Sequence, residues 1–219
     1  MLLGRDDINP NKLGMYGRTP LLLAARHSKV GILKMLLGRD DVNPNIPDII
    51  GETPLSFVAR NGWEEGVRIL LSRSDVNPNI PDRFGQTALS WAARNGHEWI
   101  VEILLGRDDV DPNNLDDDDR TPLWLAAWNG KAGVVKMLLG RDDVNPNTAD
   151  KVGQTPLCCA TEYGHGEVVE LLLERDDVNP DKRDNQGQTA LSCAVRNGHT
   201  RVIALLELQT ANTHSIDQA

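Results

Sequence analysis

Long hydrophobic runs are missing from this sequence, and so is an excess of basic charge. No apolar stretch approaches the roughly 18 residues that a membrane-spanning helix needs, and no basic segment precedes a long apolar run, as it would in a secretory signal. The 219 residues include 23 Lys and Arg against 32 Asp and Glu, which gives a net charge of −9. Nucleic acids and anionic membranes attract basic surfaces, so the composition predicts neither as a partner.

Signatures of catalysis and of cofactor binding are missing as well. The sequence has no glycine-rich phosphate loop and no nucleophile placed with a base and an orienting acid, so we expect neither enzymatic activity nor a cofactor. The only cysteines are Cys158, Cys159 and Cys193. Stacked helices about 8–10 Å apart would hold Cys159 and Cys193 too far apart for a disulfide. We therefore predict buried free thiols in a reducing compartment.

The sequence does contain one phrase six times, at intervals of 34 residues. A fixed period of this length is typical of stacked repeat arrays. At residue 121 the phrase reads Thr-Pro-Leu-Trp-Leu-Ala-Ala. Related copies begin at Thr19, Thr53, Thr87, Thr155 and Thr189.

The unit from Thr53 to Gln86 shows what each copy predicts. Thr53 can cap a helix, Pro54 suits its first turn, and Asn61-Gly62 marks its end. A second, amphipathic helix follows. The last fifteen residues of the unit are rich in Pro, Asn, Asp and Gly, which favour turns over helix.

Two short helices and a long turn-rich segment distinguish this array from the nearly all-helical tetratricopeptide class. The phrase Thr-Pro-Leu-x-x-Ala and the recurring Gly-His and Asp-Val-Asn motifs resemble the ankyrin repeat family, in the form common in fungal multidomain proteins. The resemblance implies an all-α repeat solenoid of helix-turn-helix pairs with hairpin-like loops. We predict that residues 1–11 are a partial repeat, the end of a truncated unit, that residues 12–208 form six ankyrin repeats, and that residues 209–219 are a disordered polar tail.

Two departures from the family pattern and one apolar column carry expectations. The family's His after Thr-Pro-Leu is absent from all six units, so the loop-tying hydrogen bond that it makes must be replaced or lost. Asp119 stands where the other units have Gly; since Asp tolerates positive φ less well than Gly, we expect its loop to be the least regular. The apolar column four residues after each Thr is predicted to be core. It consists of Leu23, Phe57, Trp91, Leu125, Cys159 and Cys193.

Two groups of residues suggest metal binding, and the repeat explains both. His97, His165 and His199 recur at multiples of the unit length because the unit recurs, and even the single repeat spacing between His165 and His199 is too large for shared zinc ligation. Asp116–Asp119 forms a dense acidic cluster, but it lacks the central Gly and the closing Glu of a calcium loop. We predict no metal site. A solvated hairpin tip is the favoured interpretation of the cluster, with a contact for a basic peptide and a calcium site as alternatives.

In the family, the residues seven and eight positions after each Thr line a concave groove. These positions vary around the fourth unit, where aromatic residues replace arginine and asparagine. We therefore predict a partner-binding patch, and we expect Trp128→Ala to weaken binding without changing the melting temperature. Its residues are Arg60, Arg94, Trp124, Trp128, Glu162 and Tyr163.

The resemblance thus implies a protein-interaction module that recognises a protein or peptide through its concave groove and loop tips. We expect a monomer in the cytoplasm or nucleus, as part of a larger scaffold or receptor. The alternative is a structural spacer without a dedicated ligand. A spacer should have uniform groove columns, and Trp128, Glu162 and Tyr163 break that uniformity.

Overall fold

The computed structural model describes residues 9–216, with side chains through residue 209. This part of the chain forms twelve α-helices in six pairs and contains no strand, which confirms the predicted all-α repeat solenoid class. The first helices of the pairs are α1 (Pro20–Arg26), α3 (Pro54–Arg60), α5 (Ala88–Asn95), α7 (Pro122–Trp128), α9 (Pro156–Glu162) and α11 (Ala190–Asn197). The second helices are α2 (Val30–Leu37), α4 (Glu64–Leu71), α6 (Glu98–Leu105), α8 (Ala132–Leu139), α10 (Gly166–Leu173) and α12 (Thr200–Ile216).

The repeated threonine begins each first helix, as predicted. In α7, for example, the Thr121 hydroxyl accepts a hydrogen bond from the backbone N–H of Trp124 at 3.1 Å, which satisfies one of the donors that a helix start leaves unpaired. Proline occupies the first helical position in four of the six units. Ala88 and Ala190 replace it in the other two and begin their helices equally well.

A left-handed glycine lies between the two helices in five of the six repeats, and in three of them a histidine follows it. Gly130 follows α7 with φ of 64°. A Cβ on Gly130 would lie 2.7 Å from the His165 ring of the next repeat, so the position also needs glycine for space. The His165 Nε2 atom lies 3.1 Å from the carbonyl oxygen of Trp128. The Gly-His motif therefore connects consecutive repeats, which gives these histidines a structural role.

The chain divides into two compact parts, each larger than a repeat, which we call the first unit and the second unit from here on. The first comprises Met1–Ala92 and Trp99–Asp111, and the second comprises Ala93–Glu98 and Pro112–Ala219. In the first unit, α1 packs on α2 and α3, while α4 packs on α2 and α3. In the second, α9 packs on α7, α10 and α11, and α10 also packs on α8 and α12. Within each unit, a helix pair thus buries its apolar side against the neighbouring pair.

The apolar column four residues after each Thr is only partly core. Leu125, Cys159 and Cys193 are fully buried, as predicted. Phe57 and Trp91 are half-buried, and Leu23 is 40% exposed, so the prediction was wrong for those three. The rings of Phe57 and Trp91 extend beyond the helix interface towards arginine side chains.

An aspartate five residues before the capping Thr organises the hairpin-like loop in five of the six repeats. In the loop before Thr121, Asp116 is buried, and its Oδ1 accepts hydrogen bonds from the N–H groups of Asp118 and Arg120 at 2.9 and 3.0 Å. Asp117 and Asp118 are exposed, so the acidic cluster is a solvated tip around one buried cap. The same loop bonds occur around Asp48, Asp82, Asp150 and Asp184.

Asp119 takes the left-handed conformation of the glycines it replaces, with φ of 62°. Its N–H bonds to the Asp116 carbonyl at 2.9 Å, the same length as at Gly51 and Gly85. The expectation of an irregular loop was therefore wrong. Aspartate is one of the few non-glycine residues that visits this region readily, because its short polar side chain can hydrogen-bond locally.

An asparagine ladder connects the long loops of consecutive repeats. The Asn147 Nδ2 atom donates to the Asp177 carbonyl at 2.6 Å, and its Oδ1 accepts from the N–H of Asn179 at 2.8 Å. Each rung therefore satisfies one backbone acceptor and one backbone donor of the next repeat. The same pair of bonds is made by Asn11, Asn45, Asn79 and Asn113.

The described residues allow only part of the predictions for the two chain ends to be compared with the structure. Residues 1–8 of the predicted partial repeat lie outside the described residues. At the other end, α12 continues as helix to Ile216, where the sequence analysis expects a disordered tail from residue 209. Residues 210–216 contain neither Gly nor Pro, so nothing in them stops the helix. The boundaries 1–11, 12–208 and 209–219 stay predictions.

Candidate functional site

Aromatic side chains meet in the second unit, and we call Trp124, Trp128, Tyr163 and Arg94 the aromatic cluster. The ring centroids of Trp124 and Trp128 lie 5.6 Å apart at an interplanar angle of 47°. Trp128 and Tyr163 lie 6.3 Å apart, edge to face. The guanidinium of Arg94 lies 5.4 Å from the centroid of the Trp128 ring. Three of the six predicted partner-binding residues therefore lie against a fourth, Trp128.

Trp124 forms the buried side of the aromatic cluster. Its side chain is only 5% exposed, and its Nε1 donates a hydrogen bond at 2.9 Å to the carbonyl oxygen of Gln154, which directly precedes the Thr155 of the next repeat. Buried indole N–H groups need such a partner. Trp124 occupies the position of the family's missing His, and its indole connects α7 to the end of the loop that leads into the next repeat. Little of its surface is left for a partner.

Trp128 is the half-buried centre of the cluster. It packs against a buried group formed by Trp124, Leu125 and Cys159. Aromatic pairs of this geometry contribute about 0.5–1.5 kcal/mol beyond their buried area. We therefore expect Trp128→Ala to lower stability as well as any affinity, in contrast to the expectation from sequence that only binding would change.

Tyr163 presents most of the accessible aromatic surface in the cluster. It follows α9 directly and is 52% exposed. One side of its ring is fixed by the edge-to-face contact with Trp128, and His165 stacks nearby at 6.2 Å between centroids with an interplanar angle of 15°. Tyr163 is thus an exposed ring held in one orientation by its own chain.

Glu162 is already paired within the second unit. Its Oε2 accepts a hydrogen bond from Gln154 Nε2 at 2.7 Å, and its Oε1 lies 3.3 Å from a guanidinium nitrogen of Arg196. Its backbone carbonyl faces His199 Nε2 at 2.9 Å. These partners hold the carboxylate beside Tyr163 and offset its charge.

Arg60 belongs to the first unit, where a buried carboxylate organises a second group of cations and rings. The two oxygens of Glu52 pair with Arg26 at 2.7 Å and with Arg60 at 2.6 Å. Phe57 lies between these arginines, 4.7 Å from the guanidinium of Arg26 and 5.9 Å from that of Arg60. The Arg60 guanidinium also lies 5.3 Å from the centroid of the Trp91 ring. Burial raises the pKa of Glu52, while Arg60 and Arg26 oppose that rise.

Sequence reasoning missed Glu52 and Arg26 as members of this group. A signal was available, because Glu52 directly precedes the capping Thr53 and is the only acidic residue at that position among the six units. From this signal, an ion pair could have been predicted between the Glu52 carboxylate and the arginines at the ends of α1 and α3, Arg26 and Arg60. That prediction requires knowing that the loop and the helix ends lie together, which the repeat pattern alone does not reveal.

The cysteines are placed for packing. All three are free and buried, and burial raises their pKa values, that of Cys193 to about 11. Thiols of this kind are poor nucleophiles at neutral pH, because the thiolate is the reactive form. Across residues 9–209, no group of three or more His, Cys, Asp or Glu side chains is arranged to hold a metal ion. Within the described chain, no helix is both long and apolar enough to span a membrane.

Comparison with known proteins agrees with the repeat geometry. The family model described as ankyrin repeats (3 copies) matches residues 22–116, 75–150 and 123–217, which together cover most of the chain. The comparison with curated proteins finds no match. Ankyrin repeats are generally protein–protein interaction modules. The capped helix pairs, the turn-rich loops and this match establish that the chain belongs to the ankyrin repeat family.

Proposed function

We propose that this chain recognises a protein or peptide through the aromatic cluster of its second unit, together with the neighbouring groove and loop tips. It acts by non-covalent binding, without a cofactor and without catalysis, as a monomer in the cytoplasm or nucleus. Neither a nucleic acid nor a membrane is its partner. We further propose that it serves a larger scaffold or receptor.

The observation that carries this proposal is the exposed Tyr163 ring, fixed against Trp128. Tyr, Trp and Arg are the residue types that most often dominate interface energies. A side chain that is already held in one orientation loses little rotamer freedom on binding, so more of its contact energy appears as affinity. The paired Glu162 beside it adds a hydrogen-bond acceptor in a fixed position.

The structural spacer is the alternative function. The asparagine ladder favours it, because regular bonds between loops would stiffen an array. The ladder continues unchanged through the fourth and fifth repeats, however, whereas Trp and Tyr enter the groove columns only there, as Trp128 and Tyr163. A uniform spacer has no use for such a local change.

A displayed peptide library tests the proposal. Peptides are selected on the full chain, and their dissociation constants are measured by isothermal calorimetry against the wild type and against Tyr163→Ala. Loss of a hot-spot ring costs about 2 kcal/mol, which is roughly a 30-fold weaker affinity. Because Tyr163 is exposed, the variant should keep the wild-type melting temperature to within a few degrees.

Phe84→Ala is the matched control. Phe84 is also an exposed aromatic residue, 46% accessible, but it lies in a loop of the first unit. Its removal should leave the affinities unchanged. If the library yields no binder, or if Tyr163→Ala and Phe84→Ala have the same effect, the aromatic cluster is not the binding site and the spacer alternative gains support.

A further inference from the structure

Four of the six repeats carry the dipeptide Asn-Gly where their first helix ends. The pairs are Asn61-Gly62, Asn95-Gly96, Asn129-Gly130 and Asn197-Gly198. In a flexible chain, asparagine before glycine is prone to deamidation, because glycine has no side chain to shield its backbone nitrogen from the neighbouring amide. The sequence therefore contains four candidate sites for this modification.

The asparagine of the pair caps the carboxyl end of its helix. Asn129 follows α7 directly, and its Nδ2 atom donates a hydrogen bond to the carbonyl oxygen of Leu125 at 2.8 Å. The last carbonyls of a helix need partners of this kind, so the amide has a structural task. Two other pairs make the same bond four residues back, from Asn61 to Phe57 at 2.8 Å and from Asn197 to Cys193 at 2.9 Å.

The glycine of the pair makes the turn that follows the helix. Gly130 is left-handed, with φ of 64°, and a Cβ at this position would lie 2.7 Å from the His165 ring. A residue with a side chain would be strained there. The cap and the turn together thus place an amide next to an unshielded glycine nitrogen, so the reactive dipeptide results from the needs of the repeat itself.

The folded repeat keeps the two reacting atoms apart. Asn129 has ψ of 8°, which places the Gly130 nitrogen beside the asparagine's own backbone nitrogen and away from its side chain. The bond to Leu125 turns the Asn129 Cγ atom back along α7. The Gly130 N–H is also occupied, since it donates to the carbonyl oxygen of Ala127 at 3.2 Å. Asn61 is held in the same way, with ψ of 1°.

We propose that these Asn-Gly pairs are deamidation sites that react only while their own repeat is open, so that each reaction marks the chain permanently. Local opening frees ψ, the amide and the glycine N–H together. The glycine nitrogen then forms a bond to Cγ, the bond between Cγ and Nδ2 breaks, and Nδ2 leaves as ammonia. Water hydrolyses one C–N bond of the resulting succinimide, which yields aspartate or isoaspartate. Water is the only co-reactant.

The carboxylate that forms at this position weakens the repeat. At residue 129 it cannot donate to the Leu125 carbonyl, and it places a negative charge at the carboxyl end of α7, where the helix dipole disfavours anions. The modified repeat therefore opens more often, and its neighbours lose support because repeats stabilise one another through their interfaces. Since Asn129 directly follows Trp128, the product also adds negative charge beside the aromatic cluster.

Incubation of the full chain at pH 8 tests the proposal, because base removes the proton of the glycine N–H. Peptide mapping by mass spectrometry assigns isoaspartate to each pair, and a synthetic peptide of residues 127–131 serves as the unfolded reference. Asn129 should deamidate at least about tenfold more slowly in the folded chain than in the peptide, since only the open fraction reacts. Urea below the unfolding midpoint should accelerate the reaction in the chain but not in the peptide.

Three variants at residue 129 separate the reaction from its consequence. Asn129→Gln keeps an amide but would have to close a six-membered ring, so it should remove the isoaspartate signal of this pair and leave that of Asn61 unchanged. Asn129→Asp reproduces one product and should lower the melting temperature more than Asn129→Ala, which removes the same hydrogen bond without adding a charge. Asn129→Asp should also at least about double the deamidation rate at Asn95 in the preceding repeat.

Equal rates in the folded chain and in the peptide would overturn the proposal, because the fold would then give no protection. A rate in the chain that does not respond to urea would overturn it as well, since opening would not control the reaction. If Asn129→Asp melts at or above the temperature of Asn129→Ala, the product does not weaken the repeat. Circular dichroism confirms that each variant is folded before the rates are compared.

Discussion

Removal of one rung of the asparagine ladder should uncouple two loops in a way that can be measured residue by residue. Asn147→Ala removes two bonds to the next repeat, one to the Asp177 carbonyl at 2.6 Å and one from the Asn179 N–H at 2.8 Å. Each such bond contributes about 0.5–1.5 kcal/mol net. Since water can reach these loops, we expect the lower part of the resulting range, about 1–2 kcal/mol, as a loss of unfolding free energy in urea titrations.

Asn145→Ala is the control, because the Asn145 side chain makes only a bond within its own loop, to the N–H of Asn147 at 2.9 Å. Its cost should be about half as large. Amide hydrogen exchange separates the two variants further. The Asn179 amide should exchange faster in Asn147→Ala and at the wild-type rate in Asn145→Ala, while the Asn147 amide should show the reverse pattern. Equal losses of stability, or an unchanged Asn179 rate in Asn147→Ala, would refute the idea that the ladder couples repeats.

Three further predictions concern single side chains. Asp119→Gly should raise the melting temperature slightly, because glycine adopts the observed φ of 62° without strain; a lower melting temperature in calorimetry would contradict this. Cys193 should react slowly with a thiol reagent at pH 8 in the folded protein, since burial raises its pKa to about 11, and quickly in denaturant; fast labelling of the folded protein would show an open site. Arg107 lowers the pKa of Asp109 through their hydrogen bonds, so this pair stabilises the fold above the unfolded pKa and loses its effect as pH falls through the folded pKa. Arg107→Gln should raise the Asp109 pKa in an NMR titration, and an unchanged value would contradict the assignment.

The starts of the first helices and the glycine ends that follow them could be predicted from sequence because their causes are local, whereas the end of α12 was not predicted. A threonine cap depends on a hydroxyl and an N–H three residues apart, as at Thr121 and Trp124. The helix end at Gly62 depends on the conformation of one residue, whose φ is 70°. The 34-residue period supplies the rest, since it repeats these local signals in register.

Whether each residue of an apolar column is buried could not be predicted in the same way. Leu23 and Leu125 occupy the same position in the repeat, yet Leu23 is 40% exposed and Leu125 is buried. A neighbouring helix pair decides the burial of such a position, and the repeat pattern does not record which neighbour is there. The same limit explains Phe57, whose ring lies between two arginines of different repeats.

Asp119 shows a different limit. The sequence identifies correctly that a glycine position holds another residue. Whether the loop then distorts depends on how its hydrogen bonds respond, and those bonds keep their lengths. Propensity ranks residues by average cost, whereas a loop that is fixed at both ends by a buried aspartate and a capped helix can absorb a modest cost without moving.

The aromatic cluster illustrates how an ankyrin array acquires a local surface without altering its framework. Trp124 lies in a structural column, at the position of the missing family His, and its Nε1 donates a hydrogen bond to the Gln154 carbonyl at the end of its repeat. The indole that makes this bond also supports Trp128 one helical turn later, at 5.6 Å between centroids. Trp128 in turn fixes Tyr163 of the next repeat. Trp124, in a framework column, therefore helps to fix two variable surface residues, Trp128 and Tyr163. A search for a binding face in such a repeat must consider the framework columns as well as the surface columns.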